Sequence, residues 1–353
     1  MRGGSSKGVF FVASDLPMDA VSRDRVLLAA MGSPDVRQID GLGGGDDQTS
    51  KVMIVSRSPQ RGIDVEYLFA QVSVSRDLVD VTPNSGNMLA GVAPFAIERG
   101  LIGADDPSTA VRILDLNTGK VVEAHVRTPG GRVAYQGEFR LDGVPGTSAP
   151  IHLRFLDPAG GRTGRLLPTG KAMDVVHGIA LSCVDFANPI VMVAAAALGK
   201  SGHEGKQELD ADHPWLLRLE ALRRRAAILM AMGDVAGLAL PKVVMLAPPR
   251  AGGTIASRYF VPSTCHSAHA LTGAVAIAAA CNIRGSVAAA IANPEGADLT
   301  RIVIEHPGGQ MAAGCDVDGR DATGLPAISG ASVTTSARPL FTGTVYVGEP
   351  RPC

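Results

Sequence analysis

The sequence predicts an α+β protein of two similar halves. Each half is a barrel-like sheet around one central helix, with a site in the cleft between the halves. Three observations predict this. Both halves follow one plan: short β-type runs, a small-residue turn feeding an apolar helix, then more β-type runs. The two helices, LAGVAPFAIE and LTGAVAIAAAC, are apolar on nearly every face. Such a helix is enclosed rather than laid on a surface. The 42 glycines and 4% aromatic content fit tight turns, small-residue packing and backbone-lined sites.

In the first half, strands are expected near 9–13, 52–56, 67–74 and 78–81. The turn Asn84–Asn87 and a helix over about 88–99 come next, then strands near 111–115, 121–127 and 133–135. DGVPGTSA (142–149) is the linker, marked by Gly and Pro. In the second half, strands are expected near 152–155, 173–175, 179–185 and 190–194. A charged amphipathic helix over about 214–232 leads to a strand at 242–247. The turn Ser263–Ser267 opens a helix over about 268–282, and strands near 301–305, 310–316 and 333–347 close the chain. The domains are placed at 1–145, 146–330 and 331–353, the last a strand segment returning to the first domain.

The chain has 353 residues, enough for two cores. With 46% hydrophobic and 19% charged residues and a net charge of −1, it has a globular composition without the basic excess of a nucleic-acid binder. Five scattered cysteines, Cys183, Cys265, Cys281, Cys315 and Cys353, form no C-x-x-C. A disulfide framework or structural zinc is not expected, and a reducing cytoplasm fits. No uncharged apolar run reaches about 18 residues, so no membrane span is expected. There is no signal-peptide pattern. Met1-Arg2-Gly3-Gly4 reads like the inside of a site, as if the chain began upstream.

Five stretches carry candidate chemistry. Arg2, Gly3, Gly4, Ser5, Ser6 and Lys7 put two cations around a glycine–serine loop, an anion nest. The bland alternative is a disordered tail. The glycine-rich loop 40–50 delivers Lys51 to a strand start. A desolvated lysine surrounded by cations has a lowered pKa and serves as a general base. A solvated surface lysine is the commoner case. Asn84, Ser85, Gly86, Asn87 and Met88 form one helix entrance; Thr264, Cys265, His266, Ser267 and His269 form the other. Free N–H groups and the helix dipole there favour carboxylates, and the dipole would lower the Cys265 thiol pKa. Plain N-capping is the default reading, and the two histidines fit a structural role equally well. Thr169 and Gly170 lie in LPTGK, a small turn of type II form. The charged helix is assigned to packing.

These stretches occur in a fixed order: MRGGSSKGVFF, MGSPDVRQIDGLGG, TSKV, DVEYLFAQV, NSGNMLAGVAPFAIERG, LLPTGK, EHPGG and TSARPLFTG. The ordered set, spanning nearly the whole chain, resembles the PrpF family, the 2-methylaconitate cis-trans isomerases and their relatives. MGDV (232–235) and APPRAGGTIASRYFVPSTCHSAHALTGAVAIA are most similar to the 4-oxalomesaconate tautomerases. The resemblance implies a diaminopimelate-epimerase-like fold with the active site between two barrels. It implies an isomerase without metal or organic cofactor, moving a proton along an allylic system in a small unsaturated tri- or dicarboxylate. It gives Lys51 as one proton carrier. The family's second carrier, the cysteine of N-C-G-N, is Ser85 here, and a serine hydroxyl is a far weaker acid.

Ser85 is then a change made to trap a ligand, a natural serine with Lys51 as sole essential carrier, or a mark of lost activity. Lys171 stands where the family has Asn, Ser5 where it has Thr, and the C-terminal motif keeps Arg338 but lacks a second basic residue. The leading expectation is a tautomerase of 4-oxalomesaconate type. The alternatives are a cis-trans isomerase of 2-methylaconitate or aconitate type, a racemase pairing Ser85 with Cys265, and a non-catalytic carboxylate binder. The expected partner is the small polycarboxylate, with no nucleic acid or membrane; a homodimer is compatible but nothing requires it.

Overall fold

The computed structural model describes residues 1–261, 264–292, 299–320 and 324–348. Ser263 of the expected turn and Cys353 lie outside the described residues. The chain divides into two compact units. One comprises Met1–Arg140, Gly146–Leu153 and the stretch from Thr335 on; the other comprises Leu141–Pro145 and Arg154–Thr334.

The first unit opens with a hairpin, β1 (Arg2–Gly3) and β2 (Ser6–Val12), turning at Gly4 with φ 51°. Helix α1 (Ala20–Met31) follows, capped by Asp19 through Ser22 N and ended by left-handed Gly32. No apolar run announces α1, because only Leu27, Ala30 and Met31 are buried in it. Strand β3 (Lys51–Arg57) lies parallel to β2 and antiparallel to β4 (Val65–Val72). β5 (Val79–Asp80) pairs with β4, which also runs parallel to β6 (Ser108–Asp115). β7 (Lys120–Arg127) pairs antiparallel with β6 and completes this mixed sheet.

The single helix expected over 88–99 is two, α2 (Gly86–Leu89) and α3 (Val92–Glu98). Pro94 has no N–H to extend a ladder begun at Ser85, but it is tolerated in the first turn of α3, after Gly91. The strand expected at 133–135 does not form. The chain enters it from Gly130 and Gly131, both left-handed at φ 62° and 73°.

In the second unit, β8 (Ile151–Leu156), whose first residues belong to the first unit, alternates buried and exposed positions. β9 (Asp174–Val176), β10 (Ile179–Phe186) and β11 (Asn188–Ala194) pair antiparallel in sequence. Helices α4 (Lys206–Ala211) and α5 (His213–Leu229) come next. β12 (Lys242–Ala247) lies parallel to β11 and antiparallel to β13 (Ile255–Phe260), a strand the sequence reading did not place. Helix α6 (Leu271–Cys281) is buried at all eleven positions, as its all-round apolarity requires. α7 (Val287–Ala292) precedes β14 (Arg301–His306), β15 (Gly309–Arg320) and β16 (Pro326–Thr335). The last long strand thus starts earlier than 333, and the chain from Pro339 to Gly348 is not strand.

Every residue of β12 and β13 is buried. α6 packs against β10, β11, β14 and β15, and Trp215, Leu219, Leu222 and Ala226 of α5 join the core formed with β10 to β13.

Candidate active site

The first unit gathers three of the expected stretches. Gly3 and Gly4 lie so close to Asn87 that a Cβ on either would sit 2.5 Å from an Asn87 oxygen. A Cβ on Gly8 would strike the Lys51 carbonyl oxygen and come within 2.9 Å of Met88 Cε. These glycines let the N-terminal hairpin lie directly on β3 and the first turn of α2. Asn87 Nδ2 then donates to Ser5 Oγ at 3.2 Å and Ser6 Oγ at 3.4 Å. Asn84 Nδ2 donates to Asp115 Oδ2 at 2.7 Å. Asp115 is fully enclosed, and burial raises its carboxyl pKa against the opposing hydrogen bond from Asn84. Ser85 Oγ accepts from Met88 N at 3.4 Å, so the hydroxyl is a helix cap, the bland reading of this position. With α2 only one turn long, little dipole is added there.

Lys51 begins β3. Its Nζ donates to Gln71 Oε1 at 2.8 Å and stands 5.1 Å from the centroid of the Phe69 ring. Burial lowers its pKa to about 8, against Asp47 and Asp46, which raise it. Desolvation lowers the pKa as the sequence leads one to expect, but the named neighbouring charges are acidic rather than cationic.

Arg2 faces Lys7 across β1–β2 and Arg338 across the pairing of β1 with Ala337–Arg338. Directly opposed residues share a face, and like charges so placed repel. Arg2 donates to Gly4 O at 2.7 Å, to Ser336 O and Oγ, and to Ser148 Oγ. Burial first, then Arg338, lowers its pKa. Among the described residues, no carboxylate pairs with Lys7, Arg2 or Arg338.

The second unit holds the other candidates, and there the helix-entrance expectation is corrected. α6 starts at Leu271 after Ala270, which offers no side-chain cap. Cys265 lies six residues earlier, in an extended bridge to Phe260. The ion pair Lys206–Asp210 grips its backbone: Cys265 N donates to Asp210 Oδ1 at 2.7 Å and Lys206 Nζ donates to Cys265 O at 2.9 Å. Burial, then Asp210, pushes the thiol up to about 12, opposite to the lowering expected. His266 Nδ1 accepts from Ala268 N, and Ser267 is exposed. Both ring nitrogens of His269 are engaged, with Ser257 Oγ and Ala270 O, each at 2.9 Å. Burial lowers its pKa to about 3, so it is a neutral structural histidine.

Thr169 Oγ1 donates to Asp174 Oδ2 at 2.6 Å. Gly170 N closes the turn on Leu167 O. Gly170 is left-handed, φ 75°. Gln71 and Asp115 are the site neighbours that sequence reasoning missed. A polar residue inside the apolar strand LFAQV was the available signal for Gln71. Among the described residues, no group of three or more His, Cys, Asp or Glu could hold a metal ion. No helix among them is long and apolar enough to cross a membrane.

The family model described as "PrpF protein" matches residues 1–348. The "(4E)-oxalomesaconate Delta-isomerase" of Novosphingobium sp. (strain KA1) is 49% identical, covering 98% of this chain and 96% of its own. The crystal structure of a methylitaconate-delta-isomerase superposes with a TM-score of 0.77 at 34% identity, covering 98% of this chain and 94% of the other. A hydroxyproline epimerase from Agrobacterium vitis, at 16% identity and TM-score 0.55 over 100% of this chain and 87% of its own, shares the fold alone. The fold is the α+β, diaminopimelate-epimerase-like one, and the chain belongs to the PrpF family.

Proposed function

We propose that this chain is a cofactor-independent isomerase that shifts a C=C double bond by 1,3-proton transfer in a small unsaturated tri- or dicarboxylate of oxalomesaconate type. The observation that carries the reading is Lys51: a buried amine whose pKa, near 8, leaves it partly neutral at physiological pH. The neutral amine takes a proton from the carbon next to the conjugated acid. The electron pair of that C–H bond spreads over the allylic system onto oxygen; an N–H bond of the Lys51 ammonium then breaks, its proton forms the new C–H bond at the far carbon, and the neutral amine is restored. The row Lys7, Arg2, Arg338, lacking acidic partners among the described residues, supports binding of carboxylates and of the dienolate charge. Isomerase chemistry is also what the names of the relatives share.

Lys51 is the only proton carrier this reading assigns. Ser85 is a cap with an unactivated hydroxyl, and Cys265, its thiol held near 12, makes the two-carrier racemase the weaker reading. The test is proton exchange in D₂O followed by NMR, with 4-oxalomesaconate, methylitaconate, 2-methylaconitate and aconitates. We expect deuterium to enter 4-oxalomesaconate with the chain as it stands, and Lys51→Met to abolish exchange while keeping the fold. Exchange that survives Lys51→Met would remove lysine as the base. Exchange only after Ser85→Cys would show that the serine disables the site.

A further inference from the structure

We propose that Gln71 is the positioning residue of the base: its amide carbonyl holds the Lys51 amine and sets the direction of the nitrogen's remaining valences. This rests on Lys51 being the base. Lys51 and Gln71 are directly opposite in the β3–β4 register and therefore project from one face. Lys51 Nζ reaches Gln71 Oε1 at 2.8 Å. The other end of the same amide is occupied twice, with Nε2 donating to Ser50 O at 2.8 Å and to Asp47 O at 3.0 Å. A flipped amide would set its oxygen against two carbonyls and its N–H against an amine, so only the carbonyl can face Lys51.

The anchor is itself anchored. Ser50 Oγ donates to Val72 O at 2.8 Å and accepts from Gln38 Nε2 at 2.6 Å. Gln38 Oε1 accepts from Gly45 N, which ties in the glycine-rich loop.

The chemical consequence follows from the valences of the amine. Neutral Lys51 has two N–H bonds and one lone pair. One N–H is committed to Gln71, which leaves one N–H and a lone pair in a fixed orientation for the substrate. A carbonyl acceptor also holds the ammonium more strongly than the amine. Asp47 and Asp46 act against burial to keep the pKa from falling further, and the Gln71 carbonyl, 2.8 Å from the amine, is placed to act in the same direction. The ring of Phe69 on β4 also stands beside the amine, and Gly8 of β2 packs against the backbone carbonyl of Lys51 rather than its side chain.

The experiment is titration of Lys51 by NMR in protein labelled with ¹³C-lysine. The resonance is assigned by its loss in Lys51→Met, and the titration is run on Gln71→Leu and Gln71→Glu. The pH profile of kcat/KM is measured on the same variants with 4-oxalomesaconate. Gln71→Leu should lower the Lys51 pKa by about half a unit or more. It should also cut plateau kcat roughly tenfold with little change in KM. Gln71→Glu, of the same shape, should move the pKa and the rising limb the other way. A residue that only supports the fold would lower stability without moving either titration. If Lys51 titrates alike in all three proteins, the inference is overturned. If Lys51→Met still turns over, the base assignment fails, while the resonance still reports on the Gln71 contact.

Discussion

Lys51 holds its proton against its own burial. Its folded pKa, about 8, lies below the ordinary 10.5. Between those values the unfolded chain binds more protons than the folded one, so the protein gains stability as pH rises through that window. At pH 7 the buried amine costs on the order of 3 kcal/mol. On the proposed function, that cost maintains a base that is already partly neutral. The expected pH profile rises about tenfold per unit below pH 8 and levels off above it. Stopped-flow absorbance across pH 6–10 would show this, and a limb near 10 would mean the amine is solvated. The same linkage predicts that the thermal midpoint of the native chain, compared with Lys51→Met, improves from pH 7 to pH 10.

At the level of elements, burial decided what was legible. α6 could be read from composition because it is enclosed on every side. α1 could not, since most of its surface is solvated and only its caps mark its ends. The break between α2 and α3 was written in Gly91 and Pro94, but an apolar run across both masked it. The start of α6 was misplaced because cap-type residues fill 264–267 while backbone pairing with Phe260 keeps Cys265 extended. Helix α5 was read as packing, and its anchor is Trp215, its ring centroid 5.5 Å from that of Phe260 with the rings tilted by 51° and Nε1 donating to Leu198 O at 3.0 Å. Trp215→Ala should cost about 3–5 kcal/mol, read as a lowered urea midpoint; a change near zero would show that α5 is a removable cover.

For the whole molecule, a net charge of −1 supplies no long-range attraction for an anionic substrate. On the proposed function, attraction is local and comes from Lys7, Arg2 and Arg338. Exposed charges are screened within roughly 8–10 Å at physiological salt. KM for a tricarboxylate should therefore rise severalfold between low and high salt, more steeply than for a dicarboxylate, with kcat unchanged. Arg338→Gln should flatten that dependence; equal slopes in both proteins would remove Arg338 from the anion site. Motif order made the family legible, and Lys51 stood out beside its loop. Its partner Gln71 did not, because twenty positions of chain separate two residues that only strand register brings face to face. The described thiols of the chain, Cys183, Cys265, Cys281 and Cys315, are all buried and all pushed up to about 12. Peroxides and alkylating agents attack the thiolate, so they find little to react with here. On the proposed function, serine at position 85 leaves the chain with a lysine base that thiol oxidants do not attack.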